Sequence, residues 1–514
     1  MRGQRFLLHL LVLAGGAATM SVEMCASRLL APHFGNSLPV WGLLIGLLLA
    51  YLAVGYTLGG RLADRTPLTS LLYQLAGWAG FLIGLIPVVS LPILRYSARG
   101  FAGYEAGPVL GALLAVLVLF AAPVVLLGCI SPFAVRLSVR ESGSAGSVAG
   151  RMYALSTLGS LLGTFVPVFL LIPTWGTRRS ILGTSLMLLI VAIAGLWQVA
   201  RRRALWYVLL LALVVGLCLL PPGEIKAAQG LVYERDSAYN YIQVLHNDDE
   251  WVLKLNEGEG IQSAYAPRQV LTGYVYDYFL LAPLFRAELR SLPVDNLCLI
   301  GLAAGTMARQ YSAVFGPLPI DGVEIDPAVV EAGQRFMGLD LPNLRVIVED
   351  GRYFLAHTEA RYDVIIVDAY RPPYIPFQLT TVEFFQQVHD HLTQDGVVAV
   401  NVARTEEDRT LVDAIASTLK AVYPSVYVMD TQGDVNSIVL ATRQPTRLAV
   451  ALERIAGASD PLLRAVGGRA QGRIQEYESI QRKVLTDDCA PIEHIVHAMV
   501  ARYLLRQSAS EVNP

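Results

Sequence analysis

Uninterrupted apolar runs dominate the chain up to about Leu220, and they restrict its folding more than any other feature. Hydrocarbon offers backbone amides and carbonyls no water to bond. A spanning run must therefore be helical, and it needs about twenty apolar residues to cross. Runs of that kind lie at residues 6–30, 38–60, 71–94, 109–135, 153–172, 180–199 and 205–220. They imply a multi-pass bundle of about seven transmembrane helices. The first run follows Arg2 and Arg5 as a signal peptide would, but its length and the spans after it mark a retained helix. Gly42, Gly46, Gly55, Gly59 and Gly60 are expected to let helices pack closely.

Polar residues in this half are few. Glu23 and Arg28 fall in or near the first span, where an ionisable group needs a polar cavity or a partner. They mark either a substrate path or a structural pair. Gly59-Gly60-Arg61-Leu62-Ala63-Asp64-Arg65 resembles the loop after the second helix of major facilitator transporters, and it also reads as a charged turn. With the N-terminus inside, the inner loops hold ten arginines, from Arg2 to Arg203, and the outer loops hold Arg95, Arg99, Arg178 and Arg179. That bias favours an inside N-terminus in a bacterial inner (plasma) membrane. An odd count of spans then places the remaining domain outside, whereas a soluble domain that uses a cytosolic nucleotide would require the opposite. The side stays open.

Beyond Pro221-Pro222-Gly223 the composition changes to that of a soluble domain. The expected division is residues 1–222 for the membrane bundle, 223–268 for a small β-rich domain and 269–514 for a catalytic α/β domain. In the β-rich part, residues 241–245 and 251–255 read as a hairpin, and residues 270–284 read as an aromatic-rich helix. Short apolar pieces then recur at 296–300, 320–325, 344–348, 364–367, 397–400, 426–429 and 438–441, with helices such as 327–337 and 382–392 between them. This alternation predicts a Rossmann-like, mainly parallel sheet covered on both faces. A net charge of −2 and the lack of a basic stripe argue against a nucleic-acid partner. Five cysteines without a CxxC pair indicate neither a disulfide framework nor a metal site.

Ligands of such sheets bind beyond the carboxyl ends of the strands. Four features fall there. Gly301-Leu302-Ala303-Ala304-Gly305-Thr306 is a small-residue loop opening a helix, through which backbone amides can approach a ligand. Glu324 ends the next strand, placed to accept from ribose hydroxyls. Asp350-Gly351 follows the third strand, suited to an adenine amino group, and Asp368-Ala369-Tyr370 ends the fourth. Each acid alone is more readily a cap for the following helix. Four in register point to a nucleoside pocket.

Together these residues resemble the spermidine synthases, the polyamine aminopropyltransferase family, in the branch that carries a membrane bundle. The resemblance runs over most of residues 232–440 and includes Leu485-Thr486-Asp487-Asp488-Cys489-Ala490-Pro491-Ile492-Glu493. Asp236-Ser237-Ala238-Tyr239-Asn240-Tyr241-Ile242 and Glu259-Gly260-Ile261-Gln262-Ser263 look like its N-terminal β-domain, and Pro376 to Phe385 like its gate loop and helix. The resemblance implies decarboxylated S-adenosylmethionine as cosubstrate, an amine acceptor and a homo-oligomer. It implies that Glu324, Asp350, Gly351, Gly301, Gly305 and Gln262 hold the donor and that Asp368 is the catalytic base. Tyr241, Tyr276, Asp277 and Tyr370 become candidate pocket residues. Two departures stand out. Ala304 replaces the family's aspartate that contacts the aminopropyl amine, and Arg371 replaces an acid three residues past the base. Asp487, Asp488 and Glu493, or Glu257 and Glu259, are candidates to replace them. The leading expectation is a membrane-anchored polyamine synthase releasing methylthioadenosine. The alternatives are an S-adenosylmethionine-dependent methyltransferase, or a polyamine transporter or sensor with a nucleoside-binding domain.

Overall fold

A computed structural model describes residues 2–34, 38–100, 107–139, 145–219, 225–226, 228–256, 260–287, 294–370, 374–433, 435–499 and 502. Glu257, Glu259 and Arg371 lie outside the described residues. The chain forms two compact units, Met1–Ala227 with Asp236–Ala238, and Ala228–Arg235 with Tyr239–Pro514.

The first unit is a helical bundle of α1 (Arg2–Phe34), α2 (Leu38–Arg65), α3 (Thr69–Gly100), α4 (Gly107–Ser138), α5 (Ala145–Val166), α6 (Ile172–Val199) and α7 (Arg201–Leu219). Among the described residues, six helical stretches are long and apolar enough to cross a membrane. One of them, Ala145–Val199, joins α5 and α6 over 55 residues. At a rise of about 1.5 Å per residue this is more than twice the thickness of a bilayer core. It is not one straight rod, because Gly176 breaks the helical backbone with φ 79° and ψ 166°. The expected count of seven and the observed six differ only in whether this stretch is counted once or twice.

The bundle is held by close backbone approach. A Cβ on Gly159 would lie 2.0 Å from the carbonyl oxygen of Leu13, and one on Gly163 2.1 Å from that of Ala17. This GxxxG spacing on α5 lets α1 come into backbone contact. Gly55 and Gly59 do the same for α2 against α4, whereas Gly42, Gly46 and Gly60 face open space. Arg136 of α4 pairs with Asp64 at the end of α2 at 2.8 Å. The transporter-like motif is thus the helical end of α2, tied to its neighbour. Glu23 is half-buried, and no ion pair joins it to Arg28 among the described residues.

In the second unit, β1 (Leu231–Asp236), β2 (Tyr241–Asn247), β3 (Glu250–Leu255) and β4 (Ile261–Tyr265) form a four-stranded sheet in sequence order. The expected hairpin is its centre, β2 with β3. A 3-10 helix, Val275–Phe285, follows and is buried throughout. The helix expected at 270–284 cannot begin earlier, because Gly273 has φ 83°.

The main sheet contains β5 (Leu297–Ile300), β6 (Ile320–Glu324), β7 (Leu344–Val348), β8 (Tyr362–Val367), β9 (Leu392–Ala403), β10 (Ser425–Asp430), β11 (Asn436–Thr442) and β12 (Ile474–Glu476). Their order is β12-β10-β11-β9-β8-β5-β6-β7. The helices are α8 (Thr306–Phe315), α9 (Pro327–Phe336), α10 (Gly351–His357), α11 (Val382–Asp390), α12 (Thr410–Lys420), α13 (Leu448–Ala456) and α14 (Pro461–Ala470). Strands β5 to β9 pair in parallel, and β10, β11 and β12 add on antiparallel. The turn between β10 and β11 is too short for the crossover a parallel pair requires. Two cores flank the sheet. Leu297 and Leu299 face one with the 3-10 helix, α8 and α14, and Cys298 and Ile300 face the other with α11 and α12. Burial on both faces is why these strands read as continuous apolar runs. Strand order reverses between β5 and β8, and that opens a crevice at their carboxyl ends.

Candidate active site

Backbone geometry at the crevice explains the glycines. Gly301 has φ 93°, and a Cβ there would lie 2.3 Å from the carbonyl oxygen of Asp368. The end of β5 and the end of β8 therefore touch, and the Asp368 amide donates to Ile300 O at 2.8 Å. Gly305 caps α8 in the left-handed region, and Gly351 packs its bare Cα face on Ile300. Ala303 also has positive φ, 48°. That is an uncommon place for a side chain with a Cβ, and such strain gathers at functional loops. Ser263 and Thr306, joined through their hydroxyls at 2.9 Å, lock this loop to β4. Gln262, the neighbour of Ser263 on β4, is half-buried.

The strand-end acids fall into two kinds. Asp326 and Asp350 are helix caps. Asp326 accepts from the Ala328 amide, and Asp350 Oδ1 accepts from the Arg352 and Tyr353 amides at 2.9 and 3.0 Å. Glu324 and Asp368 cap no helix among the described residues. Glu324 is buried and accepts from the Ala303 amide at 2.9 Å and the Asp326 amide at 3.1 Å. Burial pushes its pKa up to about 7, against the pull of those amides. Asp368 accepts from Asn401 Nδ2 at 2.8 Å. Burial pushes its pKa up to about 7 as well, with Asn401 the one group among the described residues that holds it down. A carboxyl that titrates near neutrality can take a proton at physiological pH and release it again. Ile325, Val348, Tyr353 and Phe377 are exposed apolar side chains on or after strands β6, β7 and β8.

Several other candidates are already engaged. Asp277 is wholly buried, and its carboxylate accepts from the Thr272 amide and hydroxyl, the Gly273 amide, Gln310 Nε2 and Arg469 Nη2. Tyr276 donates to the carbonyl of Ile261, and Tyr241 to Glu234 at 2.6 Å. Tyr370 bridges the carbonyl of Asn401 and the amide of Ala403, pinning the end of β9. Asp487 forms a two-point pair with Arg352, both contacts at 2.7 Å, and accepts from the Thr381 hydroxyl. Asp488 is exposed, and Glu493 lies half-buried on the helix at 492–499. Ala304 sits 3% exposed in an apolar cluster with Ile242, Val244 and Val329. Asn401 and Asn436 escaped the sequence reading. The signal was present: each is an amide inside or at the edge of an otherwise apolar strand.

A parallel sheet with a small-residue loop, a buried Glu324 and a desolvated Asp368 at the switch point defines a Rossmann-like nucleoside-dependent transferase. The comparisons agree. Residues 303–432 match the model of the spermine/spermidine synthase domain. A probable polyamine aminopropyl transferase of Bifidobacterium longum is 34% identical over 292 residues, 52% of this chain and 63% of that protein. This chain thus spans somewhat under two thirds of that relative. Polyamine aminopropyltransferase 1 of Aquifex aeolicus is 32% identical over 205 residues, 38% of this chain and 69% of that protein. The chain belongs to the spermidine synthase (polyamine aminopropyltransferase) family. A human eEF1A lysine and N-terminal methyltransferase is also 32% identical, over 180 residues, 31% of this chain and 26% of that protein.

Proposed function

We propose that this protein is a membrane-anchored aminopropyltransferase. It moves the aminopropyl group of decarboxylated S-adenosylmethionine to an amine of the putrescine or spermidine class and releases methylthioadenosine. The observation that carries the reading is Asp368, which stands at the crevice with its carboxyl poised near neutrality. Glu324 receives the ribose hydroxyls, Asp350 and Gly351 flank the adenine, and Gln262 lines the donor pocket. An alkyl ammonium is protonated at pH 7 and is no nucleophile. The Asp368 carboxylate accepts the acceptor's proton. The amine lone pair forms a C–N bond to the aminopropyl carbon as the C–S bond breaks, and those electrons neutralise the sulfonium. The leaving group is good already, so positioning and one base suffice. The bundle serves as the membrane anchor, and subunits associate as in other members of the family.

The departures define what is unusual. Ala304 offers no carboxylate to the donor's ammonium, and its apolar surroundings would penalise one. This favours a second reading, a methyltransferase using intact S-adenosylmethionine, which the human relative also supports. The test is product analysis by mass spectrometry on detergent-purified protein given a panel of amines and either donor. The expected products are methylthioadenosine and an acceptor one aminopropyl unit heavier, both lost in Asp368→Asn. S-adenosylhomocysteine with a methylated acceptor would install the second reading, and no product from either donor would end both.

A further inference from the structure

Asp368 is one end of a chain of polar side chains that runs across the sheet. Asn401, 5% exposed in the middle of β9 between Val400 and Val402, donates from Nδ2 to Asp368 Oδ1 at 2.8 Å. Asn436 at the start of β11 donates from Nδ2 to Asn401 Oδ1, also at 2.8 Å. We propose that Asn401 and Asn436 are positioning residues for the transfer reaction: together they keep Asp368 Oδ1 occupied and leave Oδ2 for the acceptor amine. This rests on the reading of Asp368 as the base.

The argument is one of hydrogen-bond polarity. An ionised carboxylate only accepts, so Asn401 must turn its NH2 toward Asp368. Its carbonyl then points the other way and needs a donor, and the NH2 of Asn436 is that donor. The second amide thereby fixes the orientation of the first, which could otherwise turn over and present a carbonyl to the acid. A carbonyl there would favour the protonated acid, which can donate but cannot accept a proton from the amine. The backbone keeps the members in register. Asn401 pairs with Ile438 and Asn436 with Ala403 across β9 and β11, and the Tyr370 hydroxyl holds both the Asn401 carbonyl and the Ala403 amide. Among the described residues, Tyr370 is also a titratable group beside Asp368. The next charges at this end of the sheet, Arg404, Arg409 and Asp430, pair with one another.

The experiment is the pH dependence of kcat/KM for wild type, Asn401→Leu, Asn436→Asp and Asp368→Asn, with methylthioadenosine affinity as the check on folding. Asn436→Asp is nearly isosteric but can no longer donate to Asn401, so it opposes the relay without touching the substrate. The expected result is a shift of the acidic limb upward by about one pH unit or more in Asn401→Leu and Asn436→Asp. Activity at pH 7 then falls about tenfold and recovers at higher pH. The acceptor's own ionisation is common to all the proteins and cancels in the comparison. An unshifted limb in both variants, or a loss of activity that alkaline pH does not restore, overturns the relay. If Asp368→Asn is itself fully active, it is the reading of the base that fails.

Discussion

The ends of β6 and β8 treat carboxylates differently from the segments around them. Asp277 in the 3-10 helix and Asp487 in the C-terminal segment are surrounded by donors, five protein contacts for the first and an arginine fork plus a hydroxyl for the second. Glu324 and Asp368 are desolvated with few partners, and both carboxyls rise to about 7. A carboxylate saturated by its own protein has no lone pair free for a cationic substrate and serves the fold. A carboxylate that is desolvated and underpaired costs stability, and it is retained where a ligand or a proton completes it. By this measure Glu324 and Asp368 have the character that the proposed nucleoside and base roles require, and Asp487, one of the expected replacements for the amine-binding acids, is committed to the fold.

Substitutions can break that comparison. The largest effect belongs to Asp368→Asn, expected to lower turnover by about 10²–10⁴-fold while methylthioadenosine affinity, by calorimetry, stays within a few-fold. A base of lesser importance would leave turnover within tenfold. Next is Asp277→Ala, which strands Arg469 and Gln310 and should cost about 3–5 kcal/mol of stability, read as a lower thermal or denaturant midpoint. If Asp277 instead binds substrate, KM rises and the midpoint holds.

The two raised carboxyls also set a stability trend. Between about pH 4 and 7 the folded protein keeps protons on Glu324 and Asp368 that the unfolded chain has released. The native state binds more protons there, so their contribution to stability falls as pH rises through that window. Asp368→Asn, which cannot ionise, should therefore be more stable than wild type at pH 8, by on the order of 1–3 kcal/mol, and equal to it near pH 4. A variant less stable at pH 8 would contradict the assignment. The smallest effect is that of Asp487→Asn. Its pair with Arg352 is partly exposed, so the loss should be about 1 kcal/mol or less, seen as faster hydrogen exchange in the C-terminal segment around Leu485.

Much of this was legible in the sequence, for identifiable reasons. Strands buried on both faces give apolar runs bounded by turns, so β5 to β11 could be placed from pattern alone. The close-packing Gly55 and Gly59 of α2 and the strand-end acids are local features too. What was not legible depends on partners distant in the chain. Asp350 and Glu324 are both acids at strand ends, and only the capping amides of Arg352 and Tyr353 separate them. Asp487 looked free because Arg352 lies 135 residues away. Asn401 and Asn436 lie just outside the apolar pieces at 397–400 and 438–441, and their connection to Asp368 emerges only when the sheet order sets β8, β9 and β11 side by side. Residues 270–274 were read as helix because the aromatic periodicity outweighed one glycine, Gly273, whose positive φ ends the pattern.

The most direct test of the account is a donor competition. The purified protein, given an amine acceptor and equal concentrations of decarboxylated and intact S-adenosylmethionine, is followed for the thioether it releases. The account predicts methylthioadenosine in excess, dependent on Asp368. Accumulation of S-adenosylhomocysteine instead would contradict it and make Ala304 the mark of a methyltransferase.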